Sequence, residues 1–356
     1  MSTITKEQVL AALGTVQDPD LHRDLVTLGM IEDVAVDGGA VSFTLVLTTS
    51  ACPLKGQIED DCRRAVSAIP GVTKVDFKTT SRVRKPKDPS ADRKALAGVA
   101  HVIAVGAGKG GVGKSTVAAN LAIALAQTGA TVGLMDGDIY GPNLPRMMGV
   151  NRQPFTKDGR IIPIEAHGIR FMSMGLLVEA GEAVVWRGPM LHGAVKSFLH
   201  DVDWSGCDYL IVDLPPGTGD VQLSLIQQTV VTGAVIVTTP STVAIEDAVK
   251  AIAMFDKLQV PVLGVIENMS YFVCTKCNER HDIFSTGAGQ DRALAMGLPF
   301  LGAIPLHPEV RAGGDTGKPV VAAQPDSPYG MELRRIAGAL AQRVSIHTLS
   351  PAGANA

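Results

Sequence analysis

Two cysteines in the last third of the chain have the spacing that metal ligands usually have. They are Cys274 and Cys277 in the segment YFVCTKCNERH (271–281), with His281 as a candidate third ligand. A tetrahedral zinc site or a four-iron cluster takes four protein ligands. The chain has five cysteines and no second C-x-x-C, so this segment offers half a site. Either His281 and one distant ligand complete a zinc site within one chain, or two chains contribute two thiolates each.

The other three cysteines stand in different contexts. Cys62 falls on the apolar face of a predicted helix, and Cys207 directly precedes an apolar strand, so we expect both to be packed thiols. Cys52 lies in a loop just before a predicted helix, whose N-terminus could lower the pKa of the thiol. The residues leave two interpretations of Cys52 open, a reactive or ligating thiol and an inert one.

A glycine-rich loop follows the apolar strand HVIAVGA and precedes a helical segment. In GAGKGGVGKST (106–116) the pattern G-x-x-x-x-G-K-[ST] is met by Gly108, Gly113, Lys114 and Ser115. Glycines let backbone N–H groups curl around phosphates, and the helix N-terminus adds positive potential. We expect Lys114 to reach the β- and γ-phosphates of a nucleotide and the Ser115 hydroxyl to bind Mg²⁺. The predicted nucleotide-binding residues of the loop are Gly108, Lys109, Gly110, Gly111, Val112, Gly113, Lys114, Ser115 and Thr116.

Carboxylates end two further apolar strands. LMDGDIYGPNLP (134–145) contains Asp136 and Asp138, and YLIVDLPPGTGD (209–220) contains Asp213. Either segment alone would be read as a strand-end turn. Together with the glycine-rich loop, Asp213 is typical of the strand-end carboxylate that holds Mg²⁺ through water.

The elements that position these residues form two patterns. Residues 98–347 alternate short Val/Ile/Leu runs with helical stretches, which predicts an α/β fold of P-loop NTPase type, a mostly parallel sheet flanked by helices. Residues 1–80 predict a small α+β domain. It has helices near 5–16 and 54–69, a hairpin around Asp-Gly-Gly and a strand near 72–78. Thr5 followed by Gln8 predicts a capping box that opens the first helix.

Between these patterns the composition is polar. Residues 81–97 are rich in Lys, Arg, Asp and Pro and predict an exposed linker, and residues 348–356 predict a disordered tail.

Composition excludes several classes of protein. Although 46% of the residues are hydrophobic, no run approaches the ~18 apolar residues of a transmembrane helix. The first residues lack the pattern of a signal peptide, and an odd cysteine count argues against a disulfide framework. A net charge of −3 gives no general reason to expect nucleic-acid binding. We therefore expect a cytoplasmic protein with no nucleic-acid or membrane partner.

The loop KGGVGKST (109–116) resembles the deviant Walker A motif of a superfamily that includes MinD, ParA and the nitrogenase iron protein. The resemblance implies a nucleotide-sandwich dimer in which Lys109 crosses to the partner's nucleotide. It also implies that Asp138 positions the attacking water and that Asp136 lies near the metal. Asn268, in VIENMS (265–270), resembles the residue that reads adenine in this superfamily, with IPLHPEV (304–310) as a second base-contacting loop.

From about residue 5 to residue 345 the chain resembles the Mrp/ApbC family of iron–sulfur cluster carriers. Its front domain is similar to the small domain of SufT- and PaaD-type assembly proteins. The resemblance implies an ATPase that uses ATP and Mg²⁺, binds a [4Fe-4S] cluster through Cys274 and Cys277 at a homodimer interface, and serves scaffold proteins and apo-proteins. One departure is that this chain lacks the N-terminal four-cysteine site of eukaryotic cytosolic relatives.

Two other functions remain open at this stage. A MinD/ParA-type positioning ATPase would need a membrane or DNA contact. The last helix, YGMELRRIAGALAQRV (329–344), is apolar at Met331, Ile336, Leu340 and Val344, which suits core packing better than a membrane face. A zinc-stabilised structural dimer would use the same cysteines without any transfer of a cluster.

Overall fold

The computed structural model describes residues 4–83, 95–139, 141–177 and 188–349. It divides into two compact units, Met1–Lys85 with Ala341–Ala356, and Pro86–Leu340. Most of the predicted linker and of the predicted disordered tail falls on residues 84–94 and 350–356, which lie outside the described residues.

The first unit is a small sheet with two helices. The strands lie in the order β3-β4-β5, with β3 and β4 antiparallel around the predicted Asp-Gly-Gly turn and β4 and β5 parallel. A separate antiparallel pair joins β1 and β2. The elements are α1 (Lys6–Leu13), β1 (Gln17–Asp18), β2 (Arg23–Asp24), β3 (Ile31–Asp37), β4 (Ala40–Leu47), α2 (Lys55–Ser67) and β5 (Lys74–Ser81).

The N-terminal cap of α1 was predictable, but its end was not. The Thr5 hydroxyl accepts from the backbone N–H of Gln8, and the Gln8 side chain accepts from the backbone N–H of Thr5, a reciprocal capping box. The helix ends at Leu13, before the predicted residue 16, because the Gly14 N–H closes the last turn. Similarly, α2 is shorter than predicted, and β5 runs to Ser81, inside the segment predicted as linker.

The first unit also contains the end of helix α11 (Pro328–Leu349). The Gln342 side chain donates a hydrogen bond to Asp20 in this unit. Thr348 and Leu349, predicted to begin the disordered tail, are instead the last residues of α11. The error arose because the polar residues near the end of the helix resemble a solvated tail.

The second unit is a layered α/β structure. Its sheet has nine strands among the described residues, in the order β10-β11-β7-β12-β6-β13-β14, with β15 and β16 both paired to β14. The elements are β6 (Val99–Gly106), α3 (Lys114–Gln127), β7 (Val132–Asp136), α4 (Leu144–Met147), β8 (Phe155–Lys157), β9 (Arg160–Ile162), β10 (Ile164–Ala166), β11 (Ile169–Ser173), a 3₁₀ turn (Met174–Leu176), α5 (Gly188–His200), β12 (Cys207–Asp213), α6 (Asp220–Gln228), β13 (Gly233–Thr238), α7 (Thr242–Lys257), β14 (Val262–Val273), β15 (Arg280–His281), α8 (Ala288–Ala295), β16 (Phe300–Leu306), α9 (Pro308–Thr316), α10 (Val320–Ala323) and α11 (Pro328–Leu349).

The predicted parallel sheet is confirmed. The pairs β11–β7, β7–β12, β12–β6, β6–β13, β13–β14 and β14–β16 are parallel, and only β10–β11 and β14–β15 are antiparallel. Strands β7 and β13 are buried along their whole length, which explains their continuous apolar runs. Because β12 lies between β7 and β6, the ends of these three strands bring Asp136, Asp213 and the glycine-rich loop to one edge.

The apolar face of α11 is mostly buried. Ile336, Leu340 and Val344 are buried, whereas Met331 is half exposed. The prediction of core packing therefore holds for three of the four positions. In the described part of the chain, none of the helices combines the length and the apolarity needed to cross a bilayer.

Strand β14 is irregular around Met269, and a buried carboxylate holds this part of the strand. Met269 has a left-handed backbone (φ 55°), and the register with β16 shifts between Asn268 and Phe272, as in a β-bulge. The fully buried Glu267 side chain accepts hydrogen bonds from Ser270 Oγ (2.5 Å) and from two backbone N–H groups, those of Gly287 (3.0 Å) and Gly289 (2.6 Å). Glu267 thus caps the N-terminus of α8, whose own cap residue, Gly287, has no side chain.

We expect Glu267→Gln to lower the free energy of unfolding by about 2 kcal/mol, because an amide has only one acceptor oxygen for three buried donors. Urea denaturation of the full chain would measure the loss. Glu165→Gln, at an exposed glutamate of the same unit, is the matched control and should change stability by less than about 0.5 kcal/mol. Equal stability of the two variants would contradict the capping role of Glu267.

Candidate functional site

Lys114 begins helix α3 and is buried in an ion pair. Its ammonium lies 2.5 Å from Asp213 Oδ1 and 3.2 Å from Ser115 Oγ, and its side chain is only 7% exposed. Asp213 ends strand β12 and is fully buried. The structure therefore brings together Lys114, Ser115 and Asp213, which the sequence predicted separately.

The second carboxylate at this edge is Asp136, at the end of β7. Asp136 Oδ2 accepts from Ser173 Oγ (2.8 Å), and Oδ1 accepts from the Asp138 backbone N–H (3.1 Å). Burial, followed by the charge of Asp213, raises the pKa of Asp136 well above its usual value. Burial also raises the pKa of Asp213, although the Lys114 charge opposes this shift. One lysine thus faces two buried carboxylates, an arrangement that favours a further cation.

The residues present fit a magnesium ion. Asp213 Oδ2 is buried and has no hydrogen-bond partner in the described part of the chain, which is costly unless a ligand satisfies it. The Ser115 hydroxyl is a neighbour of the Asp213 carboxylate. Oxygen atoms from a hydroxyl and from carboxylates are the ligands that Mg²⁺ prefers.

The glycine-rich loop depends on its glycines for its conformation. Gly111 (φ 84°) and Gly113 (φ 79°) have left-handed backbones, which few other residues adopt without strain. At Gly108 a Cβ atom would lie 2.0 Å from the carbonyl carbon of Asp247 on α7. The loop is therefore held against α7 by a contact that only glycine permits.

Asn268 lies against this loop. Its side-chain Nδ2 donates to the Val112 carbonyl oxygen (2.8 Å), and a Cβ at Gly113 would lie 2.3 Å from the same nitrogen. Asn268 also lines a cavity of about 370 Å³ with Gly113, Thr116 and Tyr329. The predicted role of Asn268 in reading adenine stays a prediction, while its contact with the loop is a finding.

The predicted base-contacting loop, 304–310, supplies part of the wall of this cavity through Pro305, Leu306, His307 and Val310. Sequence reasoning missed Arg146 on α4 and Tyr329 on α11, which line the same cavity, and Ser173, which holds Asp136. These residues carry no motif, and they reach the site only through long-range packing.

The two remaining predicted catalytic residues lie at the margin of the site. Lys109 is half-buried and has no hydrogen-bond or ion-pair partner among the residues that the structure describes. Asp138 is half-buried, and its charge contributes to the raised pKa of Asp213. Among the described residues Lys109 is therefore a loop cation without an ion-pair partner, and Asp138 lies within electrostatic reach of the carboxylate pair.

Cys274 and Cys277 lie on a hairpin between β14 and β15. The Asn278 N–H donates to the Cys274 carbonyl oxygen (2.9 Å), the Cys274 N–H donates to that of Glu279 (2.9 Å), and Asn278 has a left-handed backbone. Cys277 is exposed and Cys274 is half-buried.

This turn favours a thiolate at Cys274. Backbone N–H groups of Cys277 and Lys276, followed by the Cys277 side chain, lower the pKa of the Cys274 thiol. Hydrogen bonds of this kind stabilise sulfur ligands in metal sites.

The described residues of one chain do not form a complete site of His, Cys, Asp and Glu ligands around the Cys hairpin. Across the described residues, no group of three or more His, Cys, Asp and Glu side chains is arranged to hold a metal ion. His281, the candidate third ligand, is exposed and pairs across the ladder with Phe272. The zinc site within one chain, built on His281, is therefore not supported.

Burial raises the pKa of the three other thiols, those of Cys52, Cys62 and Cys207. Cys62 and Cys207 are buried, as predicted. The suggestion that a helix N-terminus lowers the pKa of Cys52 is wrong. Burial, together with the charges of Asp18 and Asp20, raises the pKa of this thiol.

Two family models match the chain. Residues 98–341 match the family described as NUBPL iron-transfer P-loop NTPase, and residues 6–77 match the family described as Iron-sulfur cluster assembly protein. The chain is 54% identical over 346 residues to the iron-sulfur cluster carrier protein of Deinococcus radiodurans, covering 97% of each chain.

Solved structures are similar to the second unit. A nucleotide-binding protein from Archaeoglobus fulgidus, in complex with ADP, is 36% identical with a TM-score of 0.54, covering 62% of this chain and 87% of that one. The cell division ATPase MinD of Pyrococcus furiosus is 24% identical with a TM-score of 0.51, covering 67% and 97%. The likeness to MinD shows the fold alone.

We expect Gly108→Ala to lower the free energy of unfolding by about 2 kcal/mol, because the new methyl group meets backbone rather than a flexible side chain. Gly110→Ala, two residues away, is the matched control, since the nearest atom to its Cβ is 4.0 Å away. Urea denaturation of both variants would measure the difference, and equal losses would contradict the close contact with α7.

Proposed function

Since the chain belongs to the family of NUBPL iron-transfer P-loop NTPases, we propose that it hydrolyses ATP and carries a [4Fe-4S] cluster to apo-proteins. The observation that carries the proposal is a Cys hairpin that favours a thiolate, has no further ligands among the described residues of its own chain, and lies in the same unit as a complete P-loop. A zinc site would need ligands that the described part of one chain does not bring together.

The cluster is shared by two chains. In a two-fold dimer a residue near the axis meets its own copy, so one C-x-x-C becomes four thiolates, the number that a [4Fe-4S] cluster takes. The exposure of Cys277 supports this arrangement, because ligands of a shared cargo must reach the surface.

At the nucleotide site, the loop residues 108–116 bind the phosphates of ATP. Lys114 gives up its contact with Asp213 and contacts the β- and γ-phosphates instead. The Asp213 carboxylate is then available to a metal ion. Ser115, Asp136 and Asp213 would hold Mg²⁺, which would supply positive charge to offset the negative charge of the phosphates. Asp138 orients the attacking water.

Lys109 acts on the nucleotide of the partner subunit. The support is that Lys109 has no ion-pair partner in the described part of the chain, while Lys114 is already paired with Asp213. A buried phosphate in the transition state gains most from a fixed cation of this kind.

The front domain serves partner choice. It matches a family described as Iron-sulfur cluster assembly protein over residues 6–77 and contains no phosphate-binding motif. Scaffold proteins and apo-proteins are the partners that this role implies.

Lys114→Ala and Lys109→Ala should each reduce ATP hydrolysis by about 100-fold or more, because each removes a cation directed at the phosphates. Lys196→Ala, at an exposed lysine of α5, is the control and should retain the wild-type rate. An unchanged rate in Lys114→Ala would contradict the nucleotide site.

Mixing the two inactive variants tests the role in trans. In a mixed dimer, the Lys109→Ala chain keeps its own Lys114 and receives Lys109 from its partner, which restores one site. Random pairing should therefore return about a quarter of the wild-type rate. No recovery would show that Lys109 acts within its own chain.

Anaerobically purified protein should contain about four iron and four acid-labile sulfide atoms per dimer. Cys274→Ala and Cys277→Ala should each lose both, whereas His281→Ala and the control Cys207→Ala should retain them. Dimers of one wild-type and one doubly substituted chain should hold the cluster poorly. One zinc per chain, or a full cluster in the mixed dimer, would contradict the shared site.

A further inference from the structure

A continuous chain of side chains links the Cys hairpin to the buried carboxylate of Glu267. Arg280, the first residue of β15, donates from Nη2 to Thr286 Oγ1 (3.1 Å), and its guanidinium lies 4.1 Å from the ring centre of Tyr271. Thr286 Oγ1 lies 3.2 Å from Ser270 Oγ, which lies 2.5 Å from Glu267 Oε1. Arg280 faces Val273 across the β14–β15 ladder, next to Cys274.

The direction of each hydrogen bond follows from the number of protons available. A hydroxyl donates one hydrogen bond, and a carboxylate only accepts. The Ser270 proton is therefore used on Glu267, so the Thr286 hydroxyl must donate to Ser270 and accept from Arg280. The hydrogen bonds therefore all donate in one direction, from Arg280 through Thr286 and Ser270 to Glu267, and each bond strengthens the next.

Glu267 is directly followed by the residue that holds the P-loop. Asn268 donates to the Val112 carbonyl oxygen, and its Nδ2 approaches Gly113 so closely that no Cβ would fit between them. A movement of the loop around phosphates must therefore displace the Asn268 side chain. The left-handed Met269 follows, and the shift in register beside it interrupts the regular pairing of β14 with β16, so a displacement here meets fewer ladder hydrogen bonds than in a regular strand.

We propose that Thr286 is a positioning residue that couples the P-loop to the Cys hairpin. Occupation of the nucleotide site shifts Asn268, the bulge at Met269 transmits the shift to Ser270, and Thr286 passes it to Arg280 beside Cys274. The reactivity of both hairpin thiols consequently depends on bound nucleotide. The coupling rests on nucleotide binding, which is part of the proposed function, but it needs no cluster.

Thr286, rather than Arg280, is the residue on which the series of hydrogen bonds depends most. The Arg280 side chain is about half exposed, so water competes for its hydrogen bonds. Thr286 is half-buried and bonds to both neighbours. Valine has the shape of threonine without the hydroxyl, so Thr286→Val removes both bonds while filling the same space. Thr286→Ser keeps both bonds.

The test measures alkylation of Cys274 and Cys277 by iodoacetamide in reduced, cluster-free, full-length protein, with and without Mg·AMPPNP. Mass spectrometry of the hairpin peptide separates these thiols from Cys52, Cys62 and Cys207. In the wild type we expect the nucleotide to change the rate about fivefold or more, the lower end of usual coupling between sites. Thr286→Val should reduce this effect to less than about 1.5-fold, while its affinity for AMPPNP stays within about twofold of wild type.

Two variants serve as controls. Thr286→Ser should restore the nucleotide effect. Thr79→Val removes a threonine hydrogen bond to Glu59 in the first unit and should leave the effect at its wild-type size.

Retention of the full effect in Thr286→Val would overturn the coupling. Binding of AMPPNP to the wild type without any change in the alkylation rate would also overturn it. Failure of AMPPNP to bind the wild type would overturn the proposed nucleotide site, and the coupling with it, so the separate binding titration distinguishes the two failures.

Discussion

The buried contact between Lys114 and Asp213 is the interaction on which the second unit depends. It joins the first residue of α3 to the end of β12, and Asp136 lies beside it at the end of β7. Removing charges from water costs several kcal/mol for each ion. Three ionisable groups are buried here, one lysine and two carboxyls, and Asp213 Oδ2 has no donor in the described structure. The fold thus leaves buried polar groups incompletely compensated at the place where phosphates and a cation would bind.

The same constraint explains why strand ends meet there. Parallel strands place their carboxyl ends at one edge, and ligands of open α/β sheets bind at that edge. The sheet itself is covered on both faces, so polar side chains are tolerated where the strands stop. Asp136 and Asp213 are the last residues of β7 and β12.

Sequence patterns were sufficient where the signal is local. The P-loop spacing, the apolar strands and the capping box at Thr5 each involve neighbours in the chain, and all were found in the structure. The strands β8 to β11 were not predicted, because each is only three to five residues long. The contacts of Asn268 with Val112 and of Glu267 with α8 join residues far apart in sequence, and no spacing encodes them.

The cysteines illustrate the same limit. Cys52 and Cys274 both stand in loops with nearby backbone donors, but the protein shifts their pKa values in opposite directions. Cys52 is partly buried near two aspartates, whereas Cys274 lies on a tight turn whose N–H groups face its sulfur. Chain position alone could not distinguish them, because burial and turn geometry decide the outcome.

The last turns of α11 belong to the first unit, and this has a consequence for biosynthesis. Its last turns, from Ala341 onward, belong to the unit formed by the first 85 residues, and Gln342 bonds there to Asp20. A ribosome makes residues 1–85 before it makes this helix. At usual elongation rates, the first unit waits roughly 10 to 50 s for its final segment. During that interval its surface for α11 is uncovered, so the nascent chain has a period in which chaperones can protect it.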